Sequence, residues 1–348
     1  MIRPKNILLV RTDRIGDVVL SLPLAEAIKI QFPNCIVTFL VKSYTLDLVK
    51  NHPFIDKVLT LDETGNIPNI FSNVKKIRSK NFDSCIVVYP TFRIAFILFL
   101  TRIKHRIGTG YRSYSFFFTK KIYEHRKYAE RHELQYNMNL LKVFGIEKQL
   151  KLGEADFHIQ ISEEGKKDVQ QFFSENKIDA TRPLIIVHPG SGGSAVNLPL
   201  LKMKELVQKL LSLNVTVLIT GSSNEKEICQ SLIVNEHTIN AAGRFSLASL
   251  IAIIDEAIIF ISNSTGPLHI AAALKKYVVG FYPKIDACSV RRWGPFTEKK
   301  MIYEPAINCQ NCTRKQCERL NCMETISMDE VFANIKKNYM LLQKNGDF

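Results

Sequence analysis

Short apolar runs alternate with amphipathic stretches along this chain, and the whole pattern occurs twice. In the first half, continuous apolar runs predict strands at Ile7–Val10, Ile36–Val41, Lys57–Leu61 and Ser84–Tyr89, with helices between them, the first over Val18–Ile30. "KVLTLD" and "DSCIVVYP" carry the β-branched content of strands covered on both faces, where polar alternation disappears. Residues 147–161 read as a crossing segment, after which the pattern restarts. "PLIIVHPGSGG" is strand then glycine loop, Leu200–Ser212 is a helix, and "VTVLITGSSNEKEICQSL" is strand, loop and helix again. "SLASLIAIIDEAIIFISNSTGPLHIAAAL" adds helix, strand, loop and helix, and "YVVGFY" closes the series. Repeated strand–helix units predict parallel sheets wrapped by helices, with ligands at the carboxyl ends of strands. The expected class is α/β: two Rossmann-like domains, 1–155 and 156–325, facing each other across a central cleft. Ser327 and Glu330 form a capping box that opens a last helix, within 326–348, expected to pack back on the first domain.

Charge changes this picture by separating the halves. Residues 1–153 hold 25 Lys and Arg against 12 Asp and Glu, whereas residues 154–348 hold 22 against 21. Nearly all of the +14 excess therefore lies on the first half, which favours a polyanionic partner: nucleic acid, an acidic membrane surface or a phosphorylated substrate. Nucleic acid is set aside, because the basic half lacks interleaved aromatics or a binding module. No apolar run reaches the length of a spanning helix, the longest being "IAFILFL". Asp13, Arg14 and Asp17 interrupt what would be the apolar region of a signal peptide, so a cytoplasmic location is expected.

Candidate chemistry lies in the loops. In "LLVRTDRIGDVVLSLP", charged residues stand where a strand hands over to a helix, and Asp17 directly follows Gly16. A carboxylate there can act as a general base toward an attacking hydroxyl. Asp13 reads instead as charge complementing a helix N-terminus. In the second half, Gly190, Gly192 and Gly193 of "HPGSGGSAVNLP" allow backbone N–H groups to approach phosphate oxygens. In "TGSSNEKE", Glu225 is placed to accept hydrogen bonds from a hydroxylated group. Ser264, Thr265 and Gly266 lead into a helix near Pro267, whose free N–H groups and positive end attract a diphosphate. Neither the dinucleotide fingerprint nor the Walker pattern is present, which points away from kinase or ATPase chemistry.

The ordered set "ILLVRTDRIGDVVLSLP", "RIGTGYR", "HPGSGGSAVNLP", "AAGRFSLASLIAII", "ISNSTGPLHIAAAL" and "RRWGP" resembles glycosyltransferase family 9, the ADP-heptose:lipopolysaccharide heptosyltransferases, from about residue 5 to 325. The resemblance implies a GT-B fold, with acceptor on the first domain and nucleotide sugar on the second. It implies inverting, metal-independent transfer of heptose from ADP-heptose to the lipid A–core oligosaccharide, at the inner face of the inner membrane. Carried over residue by residue, it makes Asp17 the catalytic base and Ser191, Gly192 and Glu225 donor contacts. It lays Phe245 against the adenine and sets Ser264, Thr265, Gly266 and His269 around the diphosphate. Arg93, Arg106 and Arg112 are the basic candidates for acceptor phosphates.

Three features depart from that pattern. Val196 stands where many members have a lysine, Leu198 replaces a tryptophan, and Ser264 replaces an aspartate; Arg244 or Lys202 is the cation available to compensate. Two alternatives follow: transfer of heptose or another sugar to a protein or surface polysaccharide, or a catalytically silent nucleotide-sugar-binding protein. Eight cysteines without an export signal predict reduced thiols. Cys35, Cys85, Cys229 and Cys288 read as small buried residues. Cys309, Cys312, Cys317 and Cys322 in "CQNCTRKQCERLNC" could hold a structural zinc or iron, although the spacing is tighter than the usual two-knuckle arrangement.

Overall fold

The computed structural model describes residues 2–179, 181–307 and 313–345, and the chain divides into two units, Met1–Gln160 and Ile161–Phe348. The first unit holds six parallel strands: β1 (Asn6–Val10), β2 (Ile36–Val41), β3 (Lys57–Thr60), β4 (Ser84–Val87), β5 (His105–Thr109) and β6 (Lys120–Ile122). They pair in the order β3-β2-β1-β4-β5-β6. The second unit repeats the plan with β7 (Leu184–His188), β8 (Thr216–Ile219), β9 (Thr238–Asn240), β10 (Ala257–Asn263), β11 (Tyr277–Phe281) and β12 (Lys300–Tyr303), ordered β9-β8-β7-β10-β11-β12. Strand order thus reverses between β1 and β4, and again between β7 and β10. In open α/β sheets such a reversal, at the carboxyl ends of the strands, is where ligands bind. This is the α/β architecture of the GT-B expectation, one parallel sheet per unit.

Central strands read as unbroken apolar runs because both of their faces are covered. Ile7 to Val10 and Ile185 to Val187 have no exposed surface. The outer strands β5, β6, β9 and β12 lie beyond the elements predicted from the pattern. "HRIGT" and "KKI" carry cations that a strand near the sheet edge tolerates and a central strand does not.

Five helices cover the first sheet: α1 (Ile15–Val19), α2 (Pro23–Gln31), α3 (Ile70–Arg78), α4 (Phe92–Leu100) and α5 (Glu133–Asn139). The single helix expected over Val18–Ile30 is two, because Pro23 lacks an N–H for a preceding turn and instead starts α2. The second unit carries α6 (Glu163–Glu175), α7 (Leu200–Leu210), α8 (Lys226–Ser231), α9 (Leu247–Glu256), α10 (Gly266–Ala273), α11 (Val290–Trp293), α12 (Arg314–Arg319) and α13 (Met328–Asn345). The placement of α13 corrects the expectation that the last helix returns to the first domain. Its stripe Val331, Ile335 and Tyr339 joins the core of the second unit beside Met203, Leu206 and Leu210 of α7. Lys209 Nζ on α7 also lies 2.6 Å from Asp329 Oδ1. Among the described residues no helix is long and apolar enough to cross a membrane.

Candidate active site

Chain leaving β1 enters a turn built around one buried cation. Arg11 is 1% exposed. Its Nε donates to Asp13 Oδ1 at 2.7 Å, and its Nη2 donates to Asp17 Oδ1. Nη1 lies 3.6 Å from Glu133 Oε1 and 3.5 Å from Asn137 Oδ1. One guanidinium therefore serves three carboxylates. Burial acts to lower its pKa, but the charges of Asp13, Asp17 and Glu133 outweigh burial and hold it firmly protonated. Glu133 and Asn137 stand one helical turn apart on the same face of α5. Asn137 Nδ2 donates to Leu20 O at 3.0 Å, and Ser21 Oγ donates to Asp17 O at 2.8 Å. These bonds fix α5 to the α1–α2 turn and hold Asp17 in the first turn of α1. The Asp17 side chain keeps 15% of its surface exposed, so it is not sealed from solvent.

Asp13 does not act as a helix-terminal charge, because Arg11 holds it beside Asp17. Burial pushes its carboxyl up to about 7, against the pull of Arg11, and the neighbouring Asp17 charge adds to the rise. A raised acid pKa means that the folded state binds the proton more tightly than the unfolded chain. Its contribution is fully present below the unfolded value near 4 and is lost as pH rises through about 7. Stability to urea should therefore fall between pH 5 and pH 8 by on the order of a few kcal/mol, and Asp13→Asn should flatten that slope. Parallel denaturation curves at the two pH values check this.

Among the candidate acceptor residues, Arg93 and Arg112 lie at the carboxyl edge with Asp17. Arg93 is exposed in the first turn of α4 and donates from Nε to Pro68 O at 2.7 Å. Arg112 is exposed in the turn after β5, its N–H donating to Ser115 Oγ at 3.0 Å. Arg106 does not join them. It pairs in register with Cys85, near the amino end of β4, and donates to the carbonyls of Phe117 and Ile103. The strand pairing, which the sequence pattern does not contain, decides that separation.

In the second unit, the loops after β7, β8 and β10 meet at one sheet edge. Ser191 is buried and accepts at its carbonyl from Ser194 N at 3.0 Å. Ser194 Oγ donates to Ser264 O at 2.8 Å, which ties the first loop to the third. Gly192 and Gly193 take φ values of +54° and +74°, in the left-handed region that favours glycine. A side-chain carbon at either would meet open space, so their backbone faces outward. At Gly190, by contrast, a Cβ would overlap Glu225 Oε1, so glycine is what lets that carboxylate reach the loop. Ser222 N and Oγ both donate to Glu225 Oε2 at 2.7 Å. Thr265 caps α10 without a side-chain bond, with Gly266 and Pro267 opening the helix and His269 buried one turn in. Phe245 is half-buried and packs edge-on against Phe172 of α6 at 4.9 Å between ring centres.

Sequence reasoning missed several residues that hold these loops. Asn263, wholly buried, donates to Pro189 O at 2.6 Å and accepts from Leu198 N at 2.7 Å. Arg314 reaches back from α12 to donate to Gly193 O at 2.9 Å. A cavity of about 450 Å³ lies beside them, with Gly190, Glu225 and Arg314 in its wall. His188 Nδ1 lies 3.0 Å from Thr220 Oγ1, and burial holds its pKa down at about 4, so the ring is neutral near pH 7.

Residues 70–323 match the sequence family described as glycosyltransferase family 9 (heptosyltransferase). The chain belongs to glycosyltransferase family 9. A Haemophilus influenzae protein named "Putative glycosyltransferase" is 28% identical over 343 residues, covering 95% of this chain and 96% of that protein. A family 9 glycosyl transferase from Veillonella parvula superimposes with a TM-score of 0.82 at 21% identity, covering 97% of each chain. The Escherichia coli ADP-heptose lps heptosyltransferase II superimposes with a TM-score of 0.80 at 19% identity, covering 97% of this chain and 99% of that one. The protein is thus a heptosyltransferase-like glycosyltransferase of this family.

Within family 9, the departures noted from sequence acquire a physical setting. Val196 and Leu198 are buried in the core of the second unit, so at these positions the first loop is anchored by apolar packing. Ser264 is buried and hydrogen-bonded to Tyr282. Arg244, one of the two cations considered for the missing lysine, lies 2.8 Å from Asp168 of α6 and stacks over Phe172 and Phe245. Cys309 and Cys312 lie outside the described residues, while Cys317 and Cys322 are buried in the core of the second unit. Among the described residues, which include two of those four cysteines, no group of three or more His, Cys, Asp or Glu could hold a metal ion. Cys35, Cys85 and Cys229 are buried as expected, whereas Cys288 is partly exposed.

Proposed function

We propose that this family 9 enzyme transfers a heptose from ADP-heptose to the core oligosaccharide of lipopolysaccharide, with inversion. The observation that carries the reading is Asp17, gripped by the buried Arg11 yet open to solvent at the strand-order reversal of the first sheet. Asp17 takes the proton of the acceptor hydroxyl as that oxygen bonds to the anomeric carbon. The bond from that carbon to the diphosphate breaks, and ADP leaves with the electron pair. Backbone N–H groups of the 190–193 loop and the start of α10 stabilise the departing charge. Arg93 and Arg112 meet acceptor phosphates, Glu225 holds donor hydroxyls, and Phe245 lies against the base; Ser191, Gly192, Ser264, Thr265, Gly266 and His269 complete the donor site. No metal has a role in this scheme. The Escherichia coli relative, named for ADP-heptose and lps, supports the choice of both substrates. Such an acceptor places the protein in the cytoplasm, at the inner face of the inner membrane.

Purified protein mixed with ADP-heptose and heptose-deficient lipopolysaccharide should release ADP only when the lipid is present. Release with a protein or surface polysaccharide acceptor instead would move the assignment to that acceptor. Nucleotide binding without turnover, unaffected by Asp17→Ala, would indicate a silent binding protein and end the transferase reading.

A further inference from the structure

A groove of about 960 Å³ on the first unit lies between α3 and the end of α4, apart from the carboxyl-edge loops described above. Ile70, Val74, Leu100 and Ile103 form the aliphatic part of its lining. Two aromatic rings stand out of it into water: Phe71 is 87% exposed and Phe99 is 44% exposed. Around them are Lys75, Arg78, Arg102, Lys104 and Arg106, and among the described residues lining the groove there is no carboxylate. Arg106 lies over the ring of Phe99 at 5.6 Å and is held there by two backbone carbonyls. Phe99 packs at 5.1 Å on Phe117, which packs at 4.3 Å on Phe116, itself 66% exposed. The result is an apolar ridge and trough bordered by one sign of charge.

A fully exposed phenylalanine is costly in water and gains by entering an apolar phase. Long Lys and Arg side chains beside it can lay their stems along apolar surface while their charged ends stay at a polar boundary. Aromatic rings and cations share such a surface at a bilayer interface, where rings sit at headgroup level and cations meet anionic lipid. The fold sets Phe71 and Phe99 among cations that the sequence pattern left without interleaved aromatics, yet the aliphatic lining of Ile70, Val74, Leu100 and Ile103 suits acyl chain more than nucleobase, which stacks on ring faces. We propose that this groove is the docking surface for an anionic phospholipid bilayer, entered by Phe71 and Phe99 and held by the surrounding cations. It operates independently of the transfer reaction, so failure of either leaves the other standing.

Sedimentation of the full-length protein with vesicles tests the assignment without donor or acceptor. Binding is expected to vesicles of phosphatidylcholine mixed with phosphatidylglycerol, not to phosphatidylcholine alone, and it should weaken as salt screens the cations. Each cation near an anionic leaflet raises partitioning roughly five-fold, so Lys75→Glu/Arg78→Glu/Lys104→Glu should lower it at least about 100-fold. Phe71→Ser, at a position already in water and harmless to folding, should lower it roughly ten-fold. Unchanged circular dichroism keeps loss of binding distinct from loss of fold. Equal binding to both vesicle types, no binding to either, or preference for an oligonucleotide over vesicles would overturn the proposal.

Discussion

Replacing Asp17 with asparagine is expected to lower kcat by about 10²- to 10⁴-fold, the usual contribution of a positioned general base. Asparagine keeps an oxygen that can accept from Arg11 Nη2, so the turn after β1 should hold its shape. Arg11 stays neutralised, because Asp13 and Glu133 remain beside it. What is lost is the ability to take a proton. Nucleotide affinity should be unchanged, since the proposed donor contacts belong to loops of the second unit. ADP release at saturating donor, with a separate nucleotide titration, measures the two effects. A kcat within three-fold or so of the parent enzyme would remove Asp17 from the mechanism, because no base contribution is that small.

The second large effect is on stability. Arg11→Leu is expected to cost about 3–5 kcal/mol, the penalty for breaking a buried ion pair by removing one partner. Leucine fills part of the volume but leaves Asp13, Asp17 and Glu133 with a shared negative field and no central cation. Glu133 keeps Arg126 as a second donor, so the loss falls mainly on the two aspartates. The carboxyl of Asp13 is pushed up to about 7 even with Arg11 present, and without that cation it should hold its proton more readily still. The variant should therefore be impaired most at pH 8 and least at pH 5. Arg11→Lys should recover only part of the loss, because a single ammonium lacks the planar fork that reaches several oxygens at once. Urea unfolding at both pH values, with hydrogen exchange along β1 and α5, resolves the effect in the first unit. Equal loss at both pH values would show that packing, not charge, is what Arg11 supplies.

Much of the fold was legible because buried parallel strands leave a plain record. Ile7–Val10, Leu184–Val187 and Ala257–Ile261 are apolar throughout, as strands covered on both faces tend to be. Glycine and small hydroxyls after them mark the loops where ligands approach closely. Less legible were β5 and β6, whose cations belong to strands near an edge. The division of the first helix turned on one proline inside an otherwise helical pattern.

In the candidate site, Asp17 stood out as a carboxylate after a glycine at a strand mouth, and the glycine loops announced themselves by composition. Arg106, read as an acceptor contact, is removed from that edge by its pairing with Cys85, which no local pattern encodes. Arg314 and Asn263 escaped notice because their work is done on backbone carbonyls distant in sequence, and carbonyls have no residue type to read. The last helix was assigned to the wrong unit for a related reason. Its stripe of Val331, Ile335 and Tyr339 states that it must bury one face but carries no address.

By itself, then, the order of residues determined the central strands and several of the helices that follow them, where the basic surplus lies, and which loops carry conformations reserved for glycine. These follow from sterics and from water's exclusion of apolar groups, both of which act over a few neighbouring residues. The tertiary structure decided which charges share a partner: that Arg11 answers Asp13, Asp17 and Glu133 together, with Asn137 beside them, across more than a hundred residues of chain. Burial is the largest cause of the raised pKa of Asp13, and burial exists only once distant segments have closed over it.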